Sequence, residues 1–238
     1  MSLKCSHISK QFGRLKAVDA LSFEVRNGEI FGIAGPNGAG KTTLFNKIAG
    51  LHTYSGSIDF NGRELNGLPA HRICQNGIAR TFQIPQLFAS LSVSDNIRAG
   101  AHFGSRQNTP ETETVEKILD FVGLGAHRDH KAAHLKLLDK KLTMIGAALA
   151  THPQILLLDE PIAGLNPSEI TQSLELFYRI NQELGITILI IEHFMKVLTE
   201  LSQQLLILEN GKKVCLGPPH EVTRDPRVIE CYLGDDHD

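Results

Sequence analysis

Residues Gly35-Pro36-Asn37-Gly38-Ala39-Gly40-Lys41-Thr42 fit the pattern G-x-x-x-x-G-K-[ST], between an apolar run, Ile30-Phe31-Gly32-Ile33-Ala34, and a segment of helical character that starts at Lys41. No other feature constrains the fold as strongly, because a strand must deliver this loop and a helix must leave it. Glycines let successive backbone N–H groups converge on phosphate oxygens without obstruction by Cβ atoms. The new helix aims the positive end of its dipole at the same anion. Residues Gly35, Pro36, Asn37, Gly38, Ala39, Gly40, Lys41, Thr42 and Thr43 are therefore the candidate cradle for a triphosphate. Lys41 is placed to reach the β- and γ-phosphates, and the Thr42 hydroxyl to ligate Mg²⁺.

A Mg²⁺-triphosphate also needs a carboxylate at the end of a neighbouring strand, and attack by water needs a base beside it. Ile155-Leu156-Leu157-Leu158-Asp159-Glu160 offers both, with Asp159 for the metal or its water and Glu160 for the attacking water.

Around these motifs the hydrophobic pattern switches between two periods. Leu21, Phe23 and Val25 alternate with Ser22 and Glu24, as in a half-buried strand, and Asn27-Gly28 predicts the turn after it. Further strands are predicted at 58–60, 78–82, 155–158, 186–191, 205–208 and 212–216, with Asn61-Gly62 and Asn210-Gly211 as turns. Gly50 ends the helix from Lys41, and a short helix is predicted over 69–75. From about 84 to 152 helical spacing takes over: Val115, Ile118, Leu119 and Val122 recur at three and four, and Gly123 ends the run. Asn166 and Pro167 open a long helix with Leu174, Phe177 and Ile180 on one face and Gly185 at its end; another helix follows His193. Residues 235–238 read as a frayed polar tail. The expectation is one α/β domain over 1–238 of the P-loop NTPase class. It has a mainly parallel core sheet, an N-terminal antiparallel β subdomain and a helical subdomain inserted at 84–152.

Charge and composition exclude several functions. The balance of 24 Lys+Arg against 26 Asp+Glu gives a formal charge of -2, which draws the chain to neither nucleic acid nor an anionic bilayer. With no Trp and three Tyr there is no stacking platform for single-stranded nucleic acid, so no nucleic-acid partner is expected. The apolar runs 155–158 and 186–191 fall far short of the ~18 residues that cross a bilayer. The first residues lack the apolar run of a signal peptide, so any service to a membrane is expected from the cytoplasmic side through a partner. Cys5, Cys74, Cys215 and Cys231 show no C-x-x-C spacing and read as reduced packing thiols. His127, His130 and His134 could share a helix face as metal ligands do, but Arg128, Asp129 and Lys131 favour a solvated surface.

Together these residues resemble an ATP-binding cassette, the ATPase subunit of ABC transporters, over essentially the whole chain from about Leu3 to Gly234. The resemblance implies ATP with Mg²⁺, and it implies roles for weaker motifs. Phe12 sits where the family stacks an aromatic ring on adenine. Gln83, in Arg80-Thr81-Phe82-Gln83, matches the glutamine that senses Mg²⁺ and the γ-phosphate and couples to membrane subunits. Ala163-Gly164-Leu165-Asn166-Pro167 resembles the loop that crosses the dimer interface, and His193 the switch histidine that contacts the γ-phosphate. The implied catalytic set is Glu160, His193 and Gln83; the implied metal set is Thr42, Gln83 and Asp159. Segments 79–83, 159–167 and 228–234 look like the ATPases of branched-chain amino-acid importers. That likeness implies branched-chain or related amino acids, or small amides, as cargo. It also implies transmembrane permease subunits and an extracytoplasmic solute-binding protein as partners, and a peripheral place on the cytoplasmic face of the inner or plasma membrane.

One departure matters. The family's Leu-Ser-Gly-Gly-Gln signature falls here on Leu135-Lys136-Leu137-Leu138-Asp139, and the Arg usual in the following helix is Ala147. In the family two cassettes pair head to tail, and each signature closes over its partner's ATP with a hydroxyl and free backbone donors. Two leucines supply neither, and Asp139 is expected to bring negative charge towards the triphosphate. The expectation is a heterodimer in which a second ABC ATPase subunit lends an intact signature. Three alternatives stand beside it: Lys136 donating in place of the serine, a regulatory cassette with weak or no hydrolysis, and a soluble non-transport ABC protein.

Overall fold

The computed structural model describes residues 2–104 and 110–233; the polar tail predicted at 235–238 lies outside the described residues. Among the described residues ten strands form two sheets. Strands β1 (Ser2–Phe12), β2 (Leu15–Arg26), β4 (Ser55–Phe60) and β5 (Arg63–Glu64) make an antiparallel sheet in the order β2-β1-β4-β5. Strands β3 (Ile30–Ala34), β6 (Ile78–Arg80), β7 (Ile155–Asp159), β8 (Thr187–Ile191), β9 (Gln204–Glu209) and β10 (Lys212–Gly217) make the second sheet, in the order β10-β9-β3-β8-β7-β6. All its pairings are parallel except β9 with β10.

Because side chains alternate along a strand, the six-stranded sheet serves two cores. Ile30, Leu156, Leu158, Ile188, Ile190, Leu205 and Ile207 face one of them, and Phe31, Ile33, Leu157, Leu189, Ile191, Leu206 and Leu208 face the other. The second core is closed by helix α1 (Lys41–Ile48), through Leu44, Phe45 and Ile48, and by the inner face of the antiparallel sheet. On the first lie α3 (Val93–Phe103), α4 (Glu111–Phe121), α5 (Leu137–Leu149), α6 (Pro167–Leu184) and α7 (Met195–Leu201). Helices α3, α4 and α5 pack on one another between β6 and β7 in the chain. The short helices α2 (Ala70–Gln75), α8 (Pro219–Val222) and α9 (Pro226–Leu233) complete the fold. Among the described residues no helix is long and apolar enough to cross a membrane.

Helix α6 shows how local sequence fixes an element. Asn166 accepts the N–H of Glu169, and the Glu169 carboxylate accepts the N–H of Asn166, a capping box with Pro167 in the first turn; Gly185 ends the helix at φ 65°. Strand β6 stops two residues short of its predicted end. Arg80 turns towards Asp159 and Asn46, and the Phe82 N–H meets the Met144 sulfur instead of a strand partner.

Candidate functional site

The registers of β3, β8 and β7 bring three strand ends to one edge, with Ile33 opposite Ile191 and Ile191 opposite Asp159. Ligands of open parallel sheets bind at this edge, beyond the carboxyl ends of the strands. From β3 the chain enters the glycine loop. Gly35 has φ 146°, and a Cβ there would lie 2.0 Å from the Leu208 carbonyl oxygen; at Gly40, φ 99°, it would lie 2.2 Å from that of Ala17. Only glycine fits either position, which explains the spacing of the motif. The Gly211 N–H braces the loop from behind through the Ala39 carbonyl. Helix α1 then starts from Gly40 with no side-chain cap, so its first N–H groups remain available to an anion.

Lys41 is buried, and its ammonium donates to the carbonyls of Gly35 at 2.5 Å and Pro36 at 2.9 Å. Burial lowers its pKa, and the carboxylates of Glu160 and Asp159 oppose that shift. A cleft opens in front of the loop. Segment 37–43, including Thr42 and Thr43, forms its floor; Phe12, Leu15 and Ala17 line one end, and Gln83, Glu160 and His193 the other. Phe12 is half exposed, with the Lys10 ammonium 5.1 Å and the His52 ring centre 5.9 Å from its ring centre, the two rings nearly perpendicular.

The three residues of the implied catalytic set come from separate segments and meet. Glu160 Oε2 accepts the Gln83 amide N–H at 2.6 Å, and Oε1 lies 2.8 Å from His193 Nε2. Glu160 itself sits at φ 47°, a left-handed conformation that costs a non-glycine residue on the order of 1–3 kcal/mol. Its N–H is held by the Ile191 carbonyl and its carbonyl by Lys141.

Asp159 is placed differently. It is buried below the cleft, where Oδ2 accepts from Arg80 at 2.8 Å and Oδ1 has no partner. Burial pushes its carboxyl up, and the Arg80 guanidinium pulls it back. An unpartnered buried carboxylate oxygen, with the exposed Thr42 hydroxyl and the Gln83 carbonyl, is an all-oxygen donor set. Mg²⁺ suits such a set, being held by one or two carboxylates together with substrate phosphates. Among the described residues no group of three or more His, Cys, Asp or Glu is placed to hold a metal by itself. His127 and His130 instead stack on each other at 5.1 Å.

The start of α5 differs from its expected form. Lys136 is exposed and makes no cap bond; Leu137 leans over Gly164, and Leu138 packs on the core. Asp139 stands in the first turn of the helix, its Oδ2 3.4 Å from His127 Nδ1 of the same chain.

The ABC transporter family matches residues 18–163, and the branched-chain amino acid ATP-binding cassette transporter family matches residues 212–238. The chain belongs to the ABC transporter family. Curated relatives agree with this cassette over nearly their whole length. The high-affinity branched-chain amino acid transport ATP-binding protein LivG of Salmonella typhimurium is 35% identical over 249 residues, 98% of each chain. The corresponding protein BraF of Pseudomonas aeruginosa is 33% identical, again over 98% of each. A crystal structure of the ADP conformation of an ABC transporter cassette superposes with a TM-score of 0.88 at 33% identity, covering 98% of this chain and 99% of that one. The chain is thus an ABC-type ATPase cassette with the α/β architecture read from its sequence.

Sequence reasoning missed three buried charged residues around the cassette's cleft: Arg80, Lys141 and Glu192. Two carried a signal. Lys141 interrupts the apolar positions Leu138, Leu142 and Ile145 of α5, and Glu192 directly extends the apolar strand β8. A charge in such a place is either paired inside the protein or misplaced.

Proposed function

We propose that this chain is the ATP-hydrolysing subunit of an importer for branched-chain amino acids or related small amides, acting on the cytoplasmic face of the plasma or inner membrane. The observation that carries the hydrolytic reading is the Glu160 carboxylate, held between Gln83 and His193 at the rim of the glycine-loop cleft. The names of the relatives and the C-terminal family match support the cargo.

Phe12 stacks on the adenine, while the loop amides and Lys41 hold the phosphates. Mg²⁺, when bound by Thr42, Gln83 and Asp159, screens the phosphate charge. Glu160 orients the attacking water and takes its proton, and His193 fixes the carboxylate that does so. Permease subunits span the membrane, and an extracytoplasmic binding protein delivers the solute. Gln83 and the helical lobe of residues 84–152 pass the motion to the permease.

Replacing Glu160 with Gln keeps the shape and removes the base. We expect nucleotide affinity to hold within a few-fold while turnover of the native complex falls by about 10²–10⁴, the usual contribution of a positioned base. Unchanged hydrolysis removes Glu160 from this role.

The assembly is a heterodimer in which a second cassette supplies serine and glycine donors over this chain's nucleotide. The leucines at 137 and 138 support this assignment. They also favour a second reading, a nucleotide-binding regulatory subunit with negligible hydrolysis. Single-turnover kinetics in the native complex separates the two.

A further inference from the structure

Glu192 and Lys141 are not among the residues that line the glycine-loop cleft, yet both are buried beside the loop that carries Glu160. Glu192 Oε1 accepts the N–H of Ile162 at 3.0 Å, and Oε2 accepts the N–H of His193 at 3.3 Å. One carboxylate thus ties together two separate loops, the one after β7 and the one after β8. Lys141 reaches from α5 to the Glu160 carbonyl at 3.1 Å. Two charges face Glu192: Glu160, which repels it, and Lys141, which attracts it.

We propose that Glu192 is a positioning residue for hydrolysis, setting the distance between Glu160 and His193 by gripping both backbones, with Lys141 as its counterpart on α5. The inference rests on the reading of Glu160 and His193 given above. Geometry makes the grip specific to a carboxylate. It has two acceptor oxygens for two N–H groups, whereas an amide has one acceptor and presents an NH₂ to the second. The left-handed Glu160 backbone is tied by its N–H to Ile191, by its carbonyl to Lys141 and, two residues on, through the Ile162 N–H to Glu192; loss of this third tie gives the strained segment room to shift its carboxylate relative to His193.

The test compares wild type, E192Q and K141M, by amide hydrogen exchange on the full chain and by ATP turnover in the native complex. For E192Q we expect faster exchange at Ile162 and His193, a kcat lower by about tenfold to a hundredfold, and a KM for ATP within twofold of wild type. Losses of this size follow from displacing a reacting group by about 1 Å. K141M keeps both Glu192 bonds and serves as the second variant should E192Q fail to fold; it is expected to lower kcat about tenfold at constant KM. Unchanged exchange at Ile162 and His193 in E192Q overturns the grip, and faster exchange with wild-type kcat overturns its role in positioning. Unchanged kcat in K141M removes the counterpart. A wild-type complex that turns over no ATP sinks the ATPase reading instead, and the grip is then judged on exchange alone.

Discussion

Helices α1 and α5 both begin without a side-chain cap, and they treat the exposed N–H groups in opposite ways. At α1 the cap is Gly40, no acidic residue stands in the first turn, and the backbone meets the cleft bare. At α5 the cap is Lys136, two leucines follow, and Asp139 in the first turn supplies the anion from within. The first end leaves room for a ligand's charge, and the second already carries an acidic side chain in its own first turn. An uncapped helix start is therefore not by itself a phosphate site. What decides is whether small residues leave the amides reachable and whether the chain already provides the negative charge.

The strongest way to break this contrast is Lys41→Ala. The ammonium belongs to the first residue of α1, and its loss leaves the Gly35 carbonyl without that donor and the Pro36 carbonyl with the Ala39 N–H alone. We expect turnover to fall by about 10²–10³, the typical cost of losing a preorganised charge-stabilising donor, together with weaker nucleotide binding. Affinity and turnover that both stay within threefold of wild type would show that the cleft is not where the triphosphate sits.

The converse experiment makes α5 resemble α1. Leu138 packs on the core and is left alone, so the variant is K136S/L137G. It restores a hydroxyl and a bare backbone at the exposed end of the helix. In the chain by itself, ATP turnover is expected to rise by about tenfold to a hundredfold, a part of the ~10²–10³ that one such donor contributes. Robust turnover of the unmodified chain alone, with no gain in the variant, removes the case for an asymmetric pair.

The same contrast marks what could be read in the sequence. The glycine loop, the buried strand before it, the Asn166-Pro167 start of α6 and the apolar run of β7 were legible, because each is encoded within a few residues. The meeting of Gln83, Glu160 and His193 was not encoded locally, since the residues lie 77 and 33 positions apart along the chain. Their grouping was implied by family resemblance, not by spacing. Long-range pairing of buried charge was hidden too: Arg80, the last residue of β6, turns its side chain to Asp159, and Glu192 folds inward from a strand end. The N-terminal strands were legible as strands, but the register shifts between β1 and β2 and the left-handed His7 and Ala20 were not. Helix α9, eight residues long like α1, was passed over although Asp225 and Pro226 stand at its start. The neighbour of Asp139 was hidden as well: the sequence shows its charge but not that His127, twelve residues earlier, lies beside it.

That partner sets the smallest of the expected effects. If Asp139 completes the dipole of α5 from within, Asp139→Asn removes a negative charge from the first turn while keeping the shape of the side chain. The cost should be about 0.3–1 kcal/mol of stability, and less at high salt, because a partly exposed dipole interaction is screened. Thermal melts of both proteins at low and high ionic strength measure it. A stability difference that does not shrink with salt would assign Asp139 a packing role in place of an electrostatic one. A gain in nucleotide affinity would mean instead that its charge does reach the triphosphate, and the contrast between the two helix ends would then be one of repulsion across the dimer and not of self-sufficiency.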